Sequence, residues 1–151
     1  MLPEFIVEAI RKKAPGVDPV EYIHGLVERE IDPGEGVEFY LRSSDWFWEE
    51  GLRLVKSGEL RQGGEKVWNS VVQLVKAVAE RRGWRHDSHH LVWACLRRIA
   101  NELGDRSILL LFAAVEQLHV NFYEGHLGAE EVEEFVKAAG ALRERLRPLA
   151  A

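Results

Sequence analysis

Apolar residues recur at intervals of three and four along almost the whole chain, the spacing that gathers them on one face of an α-helix. Segments that alternate strictly between apolar and polar residues, as half-buried β-strands do, are absent from the sequence. The pattern therefore predicts an all-α protein.

Proline, glycine and capping residues divide this pattern into seven helices. Asp18-Pro19 and Asp32-Pro33 each begin a helix, because aspartate caps a helix N-terminus and proline is tolerated in the first turn. The short connections favour antiparallel neighbours. We expect an up-and-down bundle of four or five main helices in residues 32–151, preceded by an N-terminal helical arm in residues 1–31. The other predicted helices are Pro3 to Lys13, Gly34 to Ser57 (the helix that Asp32-Pro33 begins), Leu60 to Arg82, Asp87 or Ser88 to Leu103, one beginning at Asp105 or Ser107, and one after Gly125 to Gly128.

The pair Gly63-Gly64 interrupts the fourth helix, where each glycine costs about 1 kcal/mol relative to alanine. Close approach of the third helix would compensate for this cost. We expect Ser44 and Gly51 to lie at that approach, because both side chains are small.

Length and composition bound the class of protein. A chain of 151 residues and 17.3 kDa suits one domain, and such a domain buries roughly 68 to 70% of its unfolded surface. Its single cysteine, Cys95, rules out an intrachain disulfide and indicates a reducing cytoplasm. The longest apolar run, Ile108 to Val115, is eight residues long, whereas a membrane-spanning helix needs about 20. We expect a cytoplasmic protein with no membrane partner.

Charge is distributed unevenly along the chain. Residues 51–100 hold 10 Lys and Arg against 4 Asp and Glu, although the whole chain has a net charge of −5. The basic third could meet an anionic partner, or the acidic outer thirds could neutralise it within the fold or across a dimer. We favour neutralisation, because a dedicated nucleic-acid domain usually has a pI above about 9 and the pI here is about 5.7.

The segment Arg85-His86-Asp87-Ser88-His89-His90 concentrates polar chemistry. The guanidinium of Arg85 could hold a phosphate while the imidazole of His90 moves a proton, the minimum needed for metal-independent RNA cleavage. Helix capping and ordinary surface polarity explain the same residues without a site. The i, i+4 spacing of His86 and His90 also suits a divalent ion if the connector is helical. The chain has no CxxC or HExxH pattern, so we predict no metal and no cofactor.

A second polar segment, Leu118-His119-Val120-Asn121-Phe122-Tyr123-Glu124, ends the sixth helix. His119 and Tyr123 share one side of that helix and Asn121 lies roughly opposite. His119 could act as an acid, a base or a phosphate contact. Alternatively, it is a core histidine bonded to a neighbouring helix, and Asn121 ties down a loop. Trp68, in the basic third, could stack on a base, or simply pack.

Besides Leu118 to Glu124, five segments of the chain form a recognisable pattern: Gly58-Glu59, Glu65-Lys66-Val67-Trp68, Val75-Lys76-Ala77-Val78-Ala79, Ser88-His89 and Glu102-Leu103-Gly104-Asp105. Together they resemble the archaeal PaREP family over about Ile31 to Leu146. That family has no assigned biochemical function and is thought to be related to the HEPN domains, helical bundles that include metal-independent RNases and partners of small nucleotidyltransferases. The Leu118 to Glu124 segment is the most specific part of the resemblance.

The resemblance implies a HEPN-like bundle, a homodimer and a thermophilic archaeal source. Arg85 and His90 match the outer spacing of the HEPN nuclease motif, but His86 stands where that motif has a polar residue, often Asn, and Val92 where it has Tyr. Because the catalytic set is incomplete, we predict a non-catalytic, dimeric module that binds a nucleotide, RNA or a nucleotidyltransferase-type protein. A metal-independent endoribonuclease and a purely structural dimer are the alternatives. The candidate catalytic residues are Arg85, His90 and His119, and the candidate ligand contacts are Lys66, Trp68, His89, Asn121 and Tyr123.

Overall fold

The computed structural model describes residues 2–151, apart from the side chain of Pro33. These residues form seven α-helices and a short 3-10 turn, and no β-strand occurs among them. The all-α prediction is confirmed. The elements are α1 (Glu4–Lys13), α2 (Pro19–Glu30), the 3-10 turn (Pro33–Glu35), α3 (Gly36–Lys56), α4 (Leu60–Arg82), α5 (His89–Leu103), α6 (Ser107–Glu124) and α7 (Ala129–Ala150).

Local chemistry sets several of these boundaries. Asp18, Ser88 and Asp105 each accept a hydrogen bond from a backbone N–H two or three residues later, and so satisfy a donor at a helix start. Gly83 and Gly104 follow the last residues of α4 and α5 with φ of 70° and 61°, a left-handed conformation that glycine adopts without strain. The helix starts predicted at Asp18, Ser88 and Asp105 are therefore confirmed.

The chain divides into two compact units. One ends at Glu35 and contains α1, α2 and the 3-10 turn, and the other is Gly36–Ala151. In the described part of the chain, no helix is long and apolar enough to cross a membrane.

Helix α4 forms the centre of the larger unit, where it contacts α3, α5, α6 and α7. Val67, Val71, Leu74 and Val78 of α4 are completely buried. Because α4 also buries polar residues, among them Ser70 and Gln73, it needs neighbours on every side. The surrounding helices supply them with further buried residues, among them Leu96, Ile99, Phe112, Val115, Leu118, Leu142 and Leu146.

Two glycines bring α3 and α4 into close contact. A Cβ atom on Gly51 would lie 2.9 Å from the backbone nitrogen of Val67, and one on Gly63 would lie 2.7 Å from the backbone nitrogen of Val55. No side chain fits at such distances, so both positions require glycine. The predicted approach of α3 at Gly51 is confirmed.

Ser44 and Gly64 complete the packing of α4 on two different helices. The hydroxyl of Ser44 donates to the carbonyl oxygen of Ser70 at 2.6 Å, so Ser44 joins α3 to α4 at Ser70 and not at the predicted position beside the glycine pair. Gly64 instead faces α6, where a Cβ atom would lie 3.3 Å from the Leu118 side chain. The glycine pair thus lets α4 approach one helix on each side.

Candidate functional site

Three of the six histidines are paired with carboxylates in the larger unit. Two of the carboxylates belong to α4 and one belongs to α6. Two of the contacts join residues that are far apart in the sequence, and the third joins the end of α4 to the connector before α5. The pairs are His86 with Glu80 (Nε2 to Oε1, 2.7 Å), His89 with Glu116 (Nε2 to Oε1, 3.0 Å) and His119 with Glu65 (Nδ1 to Oε2, 2.9 Å).

His119 is fixed in position from three directions. Its Nδ1 lies 3.0 and 2.9 Å from the two carboxylate oxygens of Glu65, a residue only 7% exposed. Its ring stacks on Trp68 with 3.9 Å between the ring centroids, and meets Tyr123 edge to face at 5.5 Å. Because an ionised carboxylate only accepts hydrogen bonds, Nδ1 carries the proton. This contact fixes both the tautomer and the orientation of the imidazole.

Glu116 joins α6 to the start of α5. Its Oε1 accepts a hydrogen bond from the indole Nε1 of Trp93 at 2.7 Å and lies 3.0 Å from His89 Nε2. His89 is the first residue of α5, directly after the cap Ser88. The position of this imidazole is therefore set by the helix cap and by the shared carboxylate.

A cleft of about 220 Å³ lies between α4 and the start of α5. We call it the α4–α5 cleft. Trp68, Val72 and Lys76 line it from α4, where their i, i+4, i+8 spacing places them on one side of the helix. The opposite wall consists of His86, Asp87, Ser88, His89 and Val92.

Two residues of the α4–α5 cleft carry a buried ring nitrogen that has no hydrogen-bond partner among the described residues. They are Nε1 of Trp68 and Nδ1 of His86, and both atoms lie beneath the surface. In the tautomer that donates from His86 Nε2 to the carboxylate of Glu80, Nδ1 is an acceptor, whereas Trp68 Nε1 is a donor. An unsatisfied buried group of this kind costs about 1 to 3 kcal/mol.

Arg85 and His90 do not line the α4–α5 cleft. The Arg85 side chain is 80% exposed, with Nη2 3.5 Å from Asp87 Oδ1. It lines a neighbouring pocket of about 380 Å³ together with Gly83 and Trp84. His90 is exposed in the first turn of α5. The structure thus brings Trp68 and His89 to one cleft and His119 and Tyr123 to the stack behind Trp68, and leaves Arg85 and His90 on the surface.

Lys66 and Asn121 are both 1% exposed. The ammonium of Lys66 lies 5.9 Å from the centre of the Phe47 ring, within cation–π distance. The side-chain oxygen of Asn121 accepts a hydrogen bond from the backbone N–H of Leu127 at 2.8 Å and so holds the connector between α6 and α7. Both side chains are used inside the fold, and contact of either with a ligand stays a prediction.

Sequence reasoning did not assign roles to Glu65, Glu80, Glu116 and Lys76. Glu116 had a visible signal, since it is the one acidic residue between Ser107 and Tyr123 of an otherwise apolar helix. An isolated charge in such a helix normally has a partner. In residues 2–151, no group of three His, Cys, Asp or Glu side chains is placed to hold a metal ion.

One comparison with known proteins gives a match. The model of the archaeal PaREP1/PaREP8 family matches residues 39–143, from within α3 into α7. The match includes every residue of the α4–α5 cleft and all three histidine–carboxylate pairs. No curated protein and no solved structure matches the chain.

Proposed function

This chain belongs to the archaeal PaREP1/PaREP8 family, and we propose that it is a binding module whose α4–α5 cleft takes the base of a nucleotide or of single-stranded RNA. One observation carries the proposal: an indole, Trp68, and an ammonium group, Lys76, line the same cleft as the imidazoles of His86 and His89. An aromatic platform beside a cationic group is the combination that binds single-stranded nucleic acids.

The chemistry of each wall fits part of a nucleotide. Stacking of a base on an aromatic ring contributes about 1 to 3 kcal/mol, and Trp68 offers such a ring. Lys76 supplies a charge for the phosphate, because a lysine ammonium binds phosphate as a point charge. The edge of a base carries donors that match the unpaired acceptor of His86 once the cleft walls adjust to the ligand. The Nε1–H of Trp68 points outward in the plane of its own ring, so a sugar or phosphate oxygen beside the ring would be its acceptor.

The proposed cleft lies within the basic third of the sequence. Its lining residues fall between Trp68 and Val92, inside the segment 51–100 that holds 10 basic against 4 acidic residues. The cleft lining itself has one lysine, Lys76, and one aspartate, Asp87, so any attraction of an anionic ligand depends on the wider basic segment and not on the lining alone.

Calorimetric titration with AMP, UMP and a ten-residue oligouridylate tests the proposal. The wild-type protein binds at least one probe, and Lys76→Gln and His89→Ala each weaken binding by roughly tenfold, a loss of about 1.4 kcal/mol. Lys56→Gln and His126→Ala are matched controls, because both residues are exposed and neither lines the cleft. Absence of binding to all three probes, or equal losses in the controls, would contradict the proposal.

A metal-independent ribonuclease is the second candidate. The buried carboxylate of Glu65 orients the imidazole of His119, as a general base requires. Arg85 would then hold the phosphate, with His90 as the other candidate imidazole. Purified protein is incubated with mixed RNA in EDTA beside His119→Ala and His90→Ala. Cleavage that either variant loses would support the nuclease and reject the non-catalytic module, whereas inactivity of the wild-type protein counts against the nuclease.

The proposal also includes a HEPN-like, homodimeric protein in the cytoplasm of a thermophilic archaeon, with a nucleotidyltransferase-type protein as a further partner. The resemblance supports the HEPN relationship, the dimer and the source, and the single buried Cys95 supports a reducing compartment.

If the dimer is purely structural and joins the acidic first third to the basic middle, salt weakens it, because charges are screened over about 10 Å at 0.1 M. Dimers that persist in 1 M salt would exclude that arrangement.

A further inference from the structure

The outer face of α6 is apolar although it is exposed. Glu116 is the one Asp, Glu, Lys or Arg between Ser107 and Tyr123, and both the buried and the exposed sides of the helix carry aliphatic residues. Leu110 is 75% exposed and Val120 is 39% exposed. A helix that is apolar on all sides is normally buried on all sides. The outer face of α6 is apolar but has no packing partner within the larger unit.

Five exposed residues of this face and the half-buried Gln117 form a single stripe. Their spacing of four and three residues alternates along five turns, as at the a and d positions of a helix–helix seam. The backbone of Arg106, just before α6, has φ of −75° and ψ of −11°, so it continues the register of the helix. The α6 stripe consists of Arg106, Leu110, Ala113, Gln117, Val120 and Glu124.

The α6 stripe is complementary to itself in one orientation. It begins with a positive residue, Arg106, and ends with a negative one, Glu124, and its midpoint falls at residue 115. In an antiparallel pair about a two-fold axis, Arg106 would face Glu124 of the partner subunit, and Leu110 would face Val120 of the partner subunit. A parallel pair would instead set like charges side by side, which is unfavourable.

We infer that the α6 stripe is the seam of a symmetric dimer in which a second copy of this chain packs its own α6 antiparallel. The inference deepens the homodimer of the proposed function and does not depend on ligand binding in the cleft. The small side chain of Ala113 near the centre lets the two helices approach closely. The charged residues lie at the ends, and Leu110, Ala113 and Val120 lie between them with one uncharged polar residue, Gln117, so the charged groups are at the rim, as in other protein interfaces.

The seam leaves the α4–α5 cleft open. Glu116 and His119 lie to the side of the stripe, where they contact α5 and α4. None of the six stripe residues lines the cleft. Dimerisation and ligand binding can therefore be measured separately on the same variants.

Sedimentation equilibrium over a wide range of concentrations tests the seam. Wild-type protein is a dimer, and Leu110→Glu is a monomer that retains its helical circular dichroism, because the exposed side chain at this position contributes little to the core. Leu103→Glu is the matched control: this leucine is 43% exposed, ends α5 and lies outside the stripe. It should remain dimeric.

A charge swap tests the orientation. Arg106→Glu and Glu124→Arg each raise the dimer dissociation constant by roughly threefold to tenfold, and the double variant restores it, because each ion pair is reformed with reversed sign. A monomeric wild type, a dimeric Leu110→Glu protein or a double variant no tighter than the single ones would each overturn the seam.

Titration of the monomeric Leu110→Glu variant with AMP, UMP and oligouridylate separates the two proposals: retained affinity supports a seam independent of the cleft, and lost affinity contradicts that independence.

Discussion

The imidazole of His119 lies nearly flat on the indole of Trp68, with 3.9 Å between the ring centroids and 15° between the ring planes. Trp68 also forms part of the α4–α5 cleft. The polar turn of α6 is thus in direct contact with one wall of the proposed binding site. The buried carboxylate of Glu65 contacts Nδ1 of the same imidazole. This contact fixes the orientation of the ring that stacks on Trp68.

Removal of that carboxylate should destabilise the protein. Glu65→Ala deprives His119 Nδ1 of its acceptor in a partly buried place, and we expect the free energy of unfolding to fall by about 1 to 3 kcal/mol. Urea denaturation measures the change. Glu59→Ala is the control, because Glu59 is exposed and makes no side-chain cap to α4; it should stay within about 0.5 kcal/mol of the wild type. An unchanged midpoint for Glu65→Ala would contradict the role given to this pair.

A single methyl group added at the contact between α3 and α4 should destabilise the protein. In Gly63→Ala the new Cβ would lie 2.7 Å from the backbone nitrogen of Val55, so the helices must separate, at a cost of about 1 to 3 kcal/mol. Gly140→Ala is the control, since its Cβ would lie 3.4 Å from the Trp48 ring, an ordinary contact. It should gain up to about 1 kcal/mol in helix propensity. Thermal unfolding that ranks Gly63→Ala at or above the wild type would count against this packing.

Asp45 should contribute stability that disappears in acid. Burial acts to raise its pKa, but the hydrogen bond and charge of Arg147 and then those of Arg143 outweigh this, so the pKa lies below the ordinary 3.8. A carboxylate with a depressed pKa stabilises the fold above its unfolded-state pKa, and this contribution is lost as pH falls towards the folded-state pKa. The effect is modest, because the side chain is 45% exposed.

The melting temperature between pH 7 and pH 2.5 measures this contribution. Wild-type protein should lose more stability below about pH 4 than Asp45→Asn, which has no carboxylate to titrate at this position. Glu59→Gln provides the comparison for an exposed carboxylate outside this cluster. Parallel curves for wild type and Asp45→Asn would show that the arginine pair does not hold Asp45 as described.

Cys95 should be unreactive in the folded protein. Burial raises the pKa of its thiol, an effect that the charge of Arg98 offsets only in part, and the residue is 2% exposed. Because the thiolate is the reactive form, we expect iodoacetamide to modify native protein at pH 8 at least about tenfold more slowly than protein unfolded in guanidinium. Equal rates in the two states would mean that Cys95 is not buried in solution.

Features that depend on nearby residues could be predicted from the sequence. Ser88 and Asp105 cap helices because their side chains reach the first turn of the same segment. The approach of α3 at Gly51 could also be predicted, since a glycine inside a helix is costly without a packing reason.

Features that depend on distant residues could not be predicted in this way. Glu65 and His119 are 54 positions apart, and no local sequence pattern predicts their contact. The spacing of Arg85 and His90 suggested a site, yet the cleft is lined by His86 and His89 instead. The direction in which each imidazole points depends on where the connector turns before α5, and that turn is set by tertiary packing.

The indole N–H signal of Trp68 gives the most direct test of ligand binding in the α4–α5 cleft. In ¹⁵N-labelled protein, with the signal assigned through Trp68→Phe, titration with AMP, UMP or oligouridylate should shift the Trp68 resonance saturably, because a base stacked on the indole changes the magnetic shielding of its Nε1–H. The resonance of Trp46, an exposed residue of α3 outside the cleft, should stay in place. A Trp68 signal that does not move with any of these probes, or that moves only as much as that of Trp46, would contradict nucleotide binding at this site.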